Sequence, residues 1–443
     1  MKQRADFIIK PRYLVPIEPH GVAWKDKALA VREGQIAALI DVADLAAWEW
    51  DECFDLSDHA LLPGLINAHG HSPMALLRGF ADDLALQPWL ENHIWPAEAA
   101  HVDEEFVRDG SRLAIAEMLL SGTSCFSDMY LFPEIIAEQA RTAGIRCQIC
   151  SPIIDFPSAW ATGADDYISK GLSLRDDLKN QARVSLVFGP HAPYTVSQSA
   201  LEKVATYAAE LDMGVQIHLH ETERELNDSL QEFGKRPIQR LQEIGLLGPR
   251  TQCVHMTQVD DADIEALQTS GSSVIHCPES NMKLASGSCP IAKLHSHSIT
   301  LAIGTDGAAS NNDLNIIGEM RSAALLAKSS SANAESLPAA QALRMATLGG
   351  AQALGIDALV GSLEPGKQAD LLAVNLNNPH TQPVFDPLSQ IVYACNGSEV
   401  SHLWVDGQPL VRDRTLQSLD LEECLTRAKT WGANISANGT RRV

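Results

Sequence analysis

The chain has 443 residues, of which 34 are Lys or Arg and 56 are Asp or Glu, so its formal net charge is −22. Nucleic-acid binding needs clustered positive charge, and an anionic membrane surface would repel this chain, so the composition argues against both kinds of partner. With 45% hydrophobic residues at this length, a large buried core is expected and global disorder is excluded.

Two further features of the composition predict a cytoplasmic protein. The N-terminal residues lack the apolar core of a signal peptide, and no run of about 18 apolar residues occurs. The nine cysteines are scattered and odd in number, which is typical of reduced thiols rather than of a disulfide framework. Cys147 and Cys150 have CxxC spacing, but they lie in a predicted strand with no second pair nearby.

Short β segments are predicted at both ends of the chain. Near the N-terminus, apolar runs at 6–9, 28–31 and 35–40 are separated by glycine and polar turns. Near the C-terminus, runs at 369–374 and 400–405 precede a turn at Asp406 and Gly407 and a helical tail around 419–431. Both ends of the chain are therefore predicted to contain short β-strands.

Between these ends, eight short apolar runs each finish in a polar residue and are followed by a helical stretch. They lie at 61–67, 124–127, 146–150, 184–189, 214–219, 252–254, 273–275 and 300–304. Eight alternations of strand and helix predict an α/β fold of the (β/α)8 barrel type, in which the βα loops form the active-site face.

Histidines and acids follow the predicted strands. Because side chains just past the carboxyl ends of barrel strands point into one bowl, residues distant in sequence are expected to meet there. The residues at these positions are His69, His71, Asp128, Ser151, His191, His218, His220, Glu221, His255, His276 and Asp306.

The histidine pairs 69/71 and 295/297 both have the spacing of shared metal ligands. His69 and His71 lie two apart in an extended segment, so both imidazoles can reach one ion, for which zinc is the natural candidate. His295 and His297 have the same spacing but precede the eighth strand, which places them on the opposite face of the barrel. We interpret this second pair as surface residues.

The end of the fifth strand supplies His218, His220 and Glu221, and the spacing does not choose between the two histidines. Glu221 is a candidate general acid and base, because a carboxyl excluded from water has a raised pKa. The alternative for Glu221 is a carboxylate that interacts with a helix N-terminus.

The sixth and eighth strands end in two further candidates. Asp306, in a glycine-flanked turn, could bind the metal and accept a proton from water, or it could be an ordinary turn residue. His255 could hydrogen-bond the reacting water, or it could be a core histidine. Because strands one, five, six and eight all carry such residues, a zinc hydrolase site is the simplest account. Segment 184–191 lacks the lysine that would bridge two metals, so we predict one divalent ion per chain, zinc.

Four motifs resemble the amidohydrolase superfamily, in particular its mononuclear branch of deaminases and triazine hydrolases. They are LPGLINAHGH at 62–71, HLHET at 218–222, GTDGAASNN at 304–312 and GSLEPGKQADL at 361–371. Within the superfamily, the chain is most similar to the 5-methylthioadenosine/S-adenosylhomocysteine deaminases. The resemblance implies a (β/α)8 barrel of the TIM type at 62–360. It also implies one small β-sandwich built from 1–61 and 361–443, with a terminal helix in the latter, and a homodimer or higher homo-oligomer.

The resemblance also implies roles for individual residues. The implied metal ligands are His69, His71, His218 and Asp306. The implied catalytic residues are Glu221, His255 and Asp306. His220 is expected to lie next to the ligands without binding the metal. For substrate binding it implies Glu98 as acceptor for ribose hydroxyls, His191 as a donor, Trp89 in a loop over the substrate, and Glu221. The alternatives are a solvated carboxylate at a helix start for Glu98 and a loop histidine for His191.

The implied activity is hydrolytic deamination of a small nucleoside. The resemblance implies that 5-methylthioadenosine and adenosine are converted to the inosine derivative and ammonia. S-adenosylhomocysteine is expected to react more weakly, because Cys150, Ser151 and Pro152 stand where the family holds its carboxylate with Arg, a contact of about 1.5 to 3 kcal/mol. The alternatives are guanine, an s-triazine, or an inactive barrel used for assembly. An RNA-editing deaminase is disfavoured by the charge.

Overall fold

Two eight-stranded sheets organise the computed structural model, which describes residues 2–438. The strands in chain order are β1 Gln3–Leu14, β2 Lys27–Arg32, β3 Gln35–Asp41, β4 Trp48–Pro63, β5 Leu65–Gly70, β6 Thr123–Met129, β7 Arg146–Ile153, β8 Val184–Pro190, β9 Val215–Leu219, β10 Thr251–His255, β11 Ser273–His276, β12 Leu301–Ile303, β13 Leu371–Asn375, β14 Val400–Val405, β15 Gln408–Arg412 and β16 Thr415–Leu416.

Helices connect and cover the strands. They are α1 Leu86–Trp89, α2 Trp95–His101, α3 Glu104–Leu120, α4 Pro133–Ala143, α5 Ala164–Leu178, α6 Gln198–Leu211, α7 Glu223–Phe233, α8 Pro237–Glu243, α9 Asp261–Ser270, α10 Pro278–Lys283, α11 Ile291–Ser296, α12 Ala308–Asn311, α13 Ile316–Ser331, α14 Ala339–Arg344, α15 Gly350–Ala353, α16 Pro387–Tyr393 and α17 Leu421–Asn438. Short 3-10 turns occur at Val42–Ala47 and Ser72–Leu77, and π-helical turns at Leu90–Ile94 and Met345–Gly349. Across the described part of the chain, no helix has both the length and the apolar character needed to cross a membrane.

The first sheet is the predicted barrel. Strands β5 to β12 run parallel, and each pairs with its neighbour in the chain. The barrel closes where β5 meets the segment after β12, because the backbone N–H of Asp306 donates to the carbonyl of His69 at 3.1 Å. The Asn67 carboxamide also bonds Thr305, accepting its backbone N–H at 3.0 Å and donating to its hydroxyl at 2.8 Å. The (β/α)8 prediction is confirmed.

One predicted strand boundary was wrong, and one strand was missed. Leu61 and Leu62, assigned from sequence to the first barrel strand, belong to β4 of the other sheet. The two strands are separated by Gly64, where a Cβ would lie 2.2 Å from the hydroxyl oxygen of Ser124, so this close approach requires glycine. The early part of β4 was missed because residues 49–53 are exposed and mostly charged, which conceals the apolar alternation.

The second sheet unites the two ends of the chain. Its strand order is β16-β15-β14-β13-β4-β1-β2-β3, with β1 and β4 parallel. The sheet curls round a core of its own, so that the rings of Phe7 on β1 and Trp404 on β14 stack 6.2 Å apart. The limits 1–61, 62–360 and 361–443 stay a prediction.

A buried ion pair joins the two sheets. Arg146, the first residue of β7, donates from Nε and Nη2 to the carboxylate of Asp370 at 3.0 and 3.1 Å. The same Nη2 reaches Asp406, in the turn between β14 and β15, at 2.5 Å. Because Arg146 and Asp370 are almost fully buried, removal of one partner would leave an uncompensated charge away from water.

Replacement of Arg146 by Met should therefore lower the free energy of unfolding by about 3 to 5 kcal/mol. The matched control is Arg4→Met, which breaks an exposed pair with Asp51 and should cost less than about 1 kcal/mol. Thermal unfolding followed by circular dichroism measures both. Equal shifts of Tm in the two variants would contradict the structural role assigned to the buried pair.

Candidate active site

Four side chains converge at the carboxyl ends of the barrel strands. His69 is the penultimate residue of β5, His71 follows that strand, His218 lies on β9, and Asp306 follows β12. Their potential ligand atoms lie within 4.8 Å of one another. Asp306 Oδ1 is 3.1 Å from His71 Nε2 and 3.6 Å from His69 Nε2. Within residues 2–438, no other group of three or more His, Cys, Asp or Glu has this proximity.

The protein fixes the tautomer of all three imidazoles. Nδ1 of His69 bonds Gln216 Oε1 at 2.7 Å, that of His71 bonds the Met129 carbonyl at 2.5 Å, and that of His218 bonds the His191 carbonyl at 2.6 Å. A carbonyl oxygen only accepts, so each Nδ1 carries a hydrogen, and Nε2 is the ring nitrogen that can bind a metal.

The metal-facing ring nitrogens lie close together. Nε2 of His69 and Nε2 of His218 are 3.1 Å apart, although neither has a hydrogen to donate to the other. Three imidazole nitrogens and one carboxylate oxygen form a donor set that suits zinc, and hydrogen bonds from the distal ring nitrogens to protein oxygens are typical of zinc-bound histidines. The site therefore fits one divalent metal ion, zinc.

Asp306 is held by contacts on both carboxylate oxygens. Its Oδ2 accepts hydrogen bonds from the hydroxyls of Ser280 at 2.6 Å and Ser310 at 2.9 Å, while the N–H of Gly307 donates to Oδ1 at 2.8 Å. Asp306 has a left-handed backbone, with φ of 63°. These contacts fix the direction in which the carboxylate faces the histidines.

The structure distinguishes the two histidines that end the fifth strand. His220 Nε2 accepts the N–H of Ile238 at 3.1 Å, and its Nδ1 lies 3.1 Å from the Gln258 carbonyl. Both ring nitrogens of His220 are thus bonded within the protein, whereas His218 directs Nε2 to the metal site. The His295 and His297 pair lies at the end of α11, before β12, as predicted.

Glu221 and His255 lie beside the metal site. Both are buried, and Glu221 Oε2 is 3.8 Å from His255 Nε2. Burial raises the pKa of Glu221 to about 8, so a large fraction of this carboxyl holds a proton at neutral pH. Glu221 precedes α7, whose N-cap is Thr222, and Glu225 in the first turn of that helix accepts the N–H groups of His220 and Glu221.

His255 is held from behind by Asn281 of α10. Its Nδ1 lies 2.9 Å from Asn281 Oδ1, and an amide oxygen only accepts, so the hydrogen is on Nδ1 and Nε2 has a lone pair. Burial lowers the pKa of His255, which favours the neutral ring. The left-handed backbone of His255, with φ of 74°, turns the chain at the end of β10.

A cavity of about 430 Å3 opens from the metal site. Its charged lining residues in the described chain are Glu98, Glu221 and Asp306, with no Lys or Arg. Much of the remaining lining is apolar, and includes Leu86, Leu90, Ile94, Trp95, Ile154 and Phe156. Such a cavity suits an uncharged ligand with apolar surface and a few polar groups.

The four substrate residues implied by the resemblance, Glu221 among them, all line this cavity. Trp89 ends α1, and Glu98 on α2 accepts a hydrogen bond of 2.7 Å from the hydroxyl of Tyr130. His191 follows β8, and its Nδ1 pairs with Thr195 Oγ1 at 2.8 Å. Their roles toward a substrate stay a prediction.

Five residues from the predicted group of strand-end side chains do not line the cavity: His69, Asp128, Ser151, His220 and His276. Of these, only His69 belongs to the metal group. Conversely, sequence reasoning missed Tyr130, Ser280 and Asn281. Tyr130 directly follows β6, so the rule that selected Asp128 could have selected it. Ser280 and Asn281 lie in the short α10, where no periodic pattern distinguishes them.

Comparison with known proteins agrees with this geometry. The sequence model of the amidohydrolase family matches residues 60–410. The chain belongs to the amidohydrolase family. Proteins named 5-methylthioadenosine/S-adenosylhomocysteine deaminase from Saccharophagus degradans and Teredinibacter turnerae are 48% and 49% identical, and each alignment covers 98% of both chains.

A solved relative supports the same assignment. The crystal structure of an adenosine deaminase from Xanthomonas campestris with bound zinc superposes with a TM-score of 0.97. It is 46% identical in sequence, and the match covers 99% of this chain and 100% of that chain. This amidohydrolase therefore shares its whole architecture with a zinc-containing relative.

The assignment of ligands predicts different effects for neighbouring histidines. His218→Ala should abolish stoichiometric metal binding, because it removes one of four donor atoms, whereas His220→Ala should retain about one metal ion per chain. Elemental analysis of the purified variants measures this directly. A metal-free His220→Ala protein with a metal-loaded His218→Ala protein would reverse the assignment.

Proposed function

We propose that this amidohydrolase is a zinc-dependent aminohydrolase of adenosine-type nucleosides, acting on 5-methylthioadenosine and adenosine and more weakly on S-adenosylhomocysteine. The products are the inosine derivative and ammonia. The observation that carries the proposal is the position of a buried, protonatable Glu221 and a neutral His255 beside a three-histidine, one-aspartate group. This group lies at one end of a cavity whose described lining has no Lys or Arg. The names of the relatives support the substrate class.

The protein residues divide the proton transfers between them. A zinc ion, when bound, lowers the pKa of water and polarises the reacting centre. Asp306 accepts a proton from the attacking water, and the lone pair on His255 Nε2 orients that water. Glu221 donates its proton to the purine ring nitrogen next to the carbon that carries the amine.

The second half of the reaction reverses these roles. Water oxygen forms a bond to the amine-bearing carbon, and protons passed through Glu221 and Asp306 convert the amino group to ammonia. The carbon–nitrogen bond then breaks, and the ring keeps a carbonyl in place of the amine. Because Glu221 has a raised pKa, it can both release and recover a proton near neutral pH.

The lining at the other end of the cavity suits a nucleoside that has no charged substituent. We assign Glu98 to the ribose hydroxyls, and we assign His191 and Trp89 to the walls around the nucleoside. The absence of Lys and Arg from the described lining leaves the carboxylate of S-adenosylhomocysteine without a partner of opposite charge. This is the reason for the weaker reaction with that substrate.

The first test is ammonia release by metal-assayed protein with 5-methylthioadenosine, adenosine, S-adenosylhomocysteine and guanine. We expect the kcat/KM of the first two to exceed that of S-adenosylhomocysteine roughly tenfold or more, since a charge-assisted contact is missing. Ammonia from guanine alone, or chloride from a chlorinated triazine, would replace the proposal by one of the other heterocycle activities. A metal-loaded protein inactive on every compound would support the inactive barrel.

The role of Glu221 has its own test. Glu221→Gln should retain the metal ion but lose activity by a factor of about 100 to 10,000, because the amide cannot exchange a proton. The matched control is Glu223→Gln, which makes the same change at an exposed position two residues away and should leave kcat unchanged. Full activity of Glu221→Gln would exclude Glu221 as the proton shuttle.

We also propose that the chain acts in the cytoplasm as a homodimer or higher homo-oligomer. The compartment is supported by nine cysteines that are all free thiols. Association is proposed from the resemblance to the deaminase family.

A further inference from the structure

Three consecutive residues at the end of β6 contact three different parts of the active site. Asp128 Oδ2 accepts the backbone N–H of Ser72 at 2.6 Å, directly after His71. The Met129 carbonyl accepts the Nδ1 hydrogen of His71 at 2.5 Å. The Tyr130 hydroxyl donates to Glu98 at 2.7 Å. The mechanism described above uses none of these three residues.

This segment connects the metal site to the substrate end of the cavity. Met129 holds a metal ligand, and Tyr130, whose Cα lies about 3.8 Å further along the chain, holds the carboxylate assigned to the sugar. The position of Glu98 is thus tied through Tyr130 to the end of a barrel strand. Without this bond, Glu98 would depend only on α2, which is preceded by the π-helical turn Leu90–Ile94.

The protonation of Tyr130 determines which group donates in the hydrogen bond between Tyr130 and Glu98. Tyr130 is buried, and its pKa is raised well above the usual value by burial and by the negative charge of Glu98, so the hydroxyl stays protonated. It therefore donates to Glu98 Oε1. Burial raises the pKa of Glu98, and the hydroxyl opposes that effect by stabilising the carboxylate. A charged Glu98 can only accept, which selects hydroxyl donors in a ligand.

We propose that Tyr130 is a positioning residue that sets specificity for the ribose hydroxyls. By holding Oε1 of Glu98, it leaves Oε2 as the oxygen available to the 2′- and 3′-hydroxyls of a nucleoside. The enzyme then favours a ribonucleoside over the same base on a sugar without these hydroxyls. This inference rests on the proposed nucleoside deamination.

The test compares Tyr130→Phe with the wild-type protein on adenosine and on 2′,3′-dideoxyadenosine, with ammonia release as the readout. We expect the kcat/KM for adenosine to fall about tenfold, since a hydrogen bond to a charged group is lost. The kcat/KM for the dideoxynucleoside should change less than about twofold, because that substrate offers Glu98 no hydroxyl.

Two further variants separate specificity from structural damage. Tyr167→Phe removes another buried tyrosine hydroxyl, which donates to Ser158 Oγ at 2.6 Å, and should leave the ratio of the two kcat/KM values unchanged. In a Glu98→Ala background, the Tyr130→Phe change should have no further effect on that ratio, because it acts through Glu98.

The outcomes distinguish the two proposals. Wild-type protein that releases no ammonia from any adenosine nucleoside overturns the proposed function. Wild-type activity with equal losses on both substrates in Tyr130→Phe, or with no loss on either, overturns the role of Tyr130 alone. A loss confined to adenosine, absent in the Glu98→Ala background, supports it.

Discussion

The convergence of three imidazole Nε2 atoms on one point is the constraint on which the active site depends. His69, His71 and His218 are fixed with Nε2 toward one point because protein oxygens bind the opposite ring nitrogens. Asp306 completes the group through the same backbone contact that closes the barrel. The contact that closes the barrel therefore also places the fourth metal donor. The free energy of metal binding consequently stabilises the closed barrel.

The sequence predicts much of this arrangement because, in a barrel, the place of a residue relative to its strand determines the face on which it lies. Apolar runs of strand length identify the eight strands, and a polar residue after a run must lie on the active-site face. His69, Glu221, His255 and Asp306 follow from this rule alone. The choice of His218 over His220 does not, because it depends on how the chain turns after β9, where His220 has a φ of 53°.

Other features depend on contacts that no local pattern records. Asn281 contacts His255 only because α10 packs behind β10, and Glu98 contacts Tyr130 only because α2 folds over the barrel mouth. The strand β4 illustrates a related limit, since its exposed and charged beginning conceals an element that pairs with both β1 and β13. Sequence periodicity detects a strand through the burial of one of its faces. It cannot detect a strand segment that is exposed on both faces.

The seam between Gly70 and Asp306 has a consequence for biosynthesis. The two sides of the seam are separated by most of the barrel sequence, so a nascent chain cannot assemble the complete set of metal donors until the eighth strand has been made. The second sheet is completed later still, since β4 pairs with β13 from the other end of the chain. A complete set of four donors therefore marks a chain whose barrel is closed.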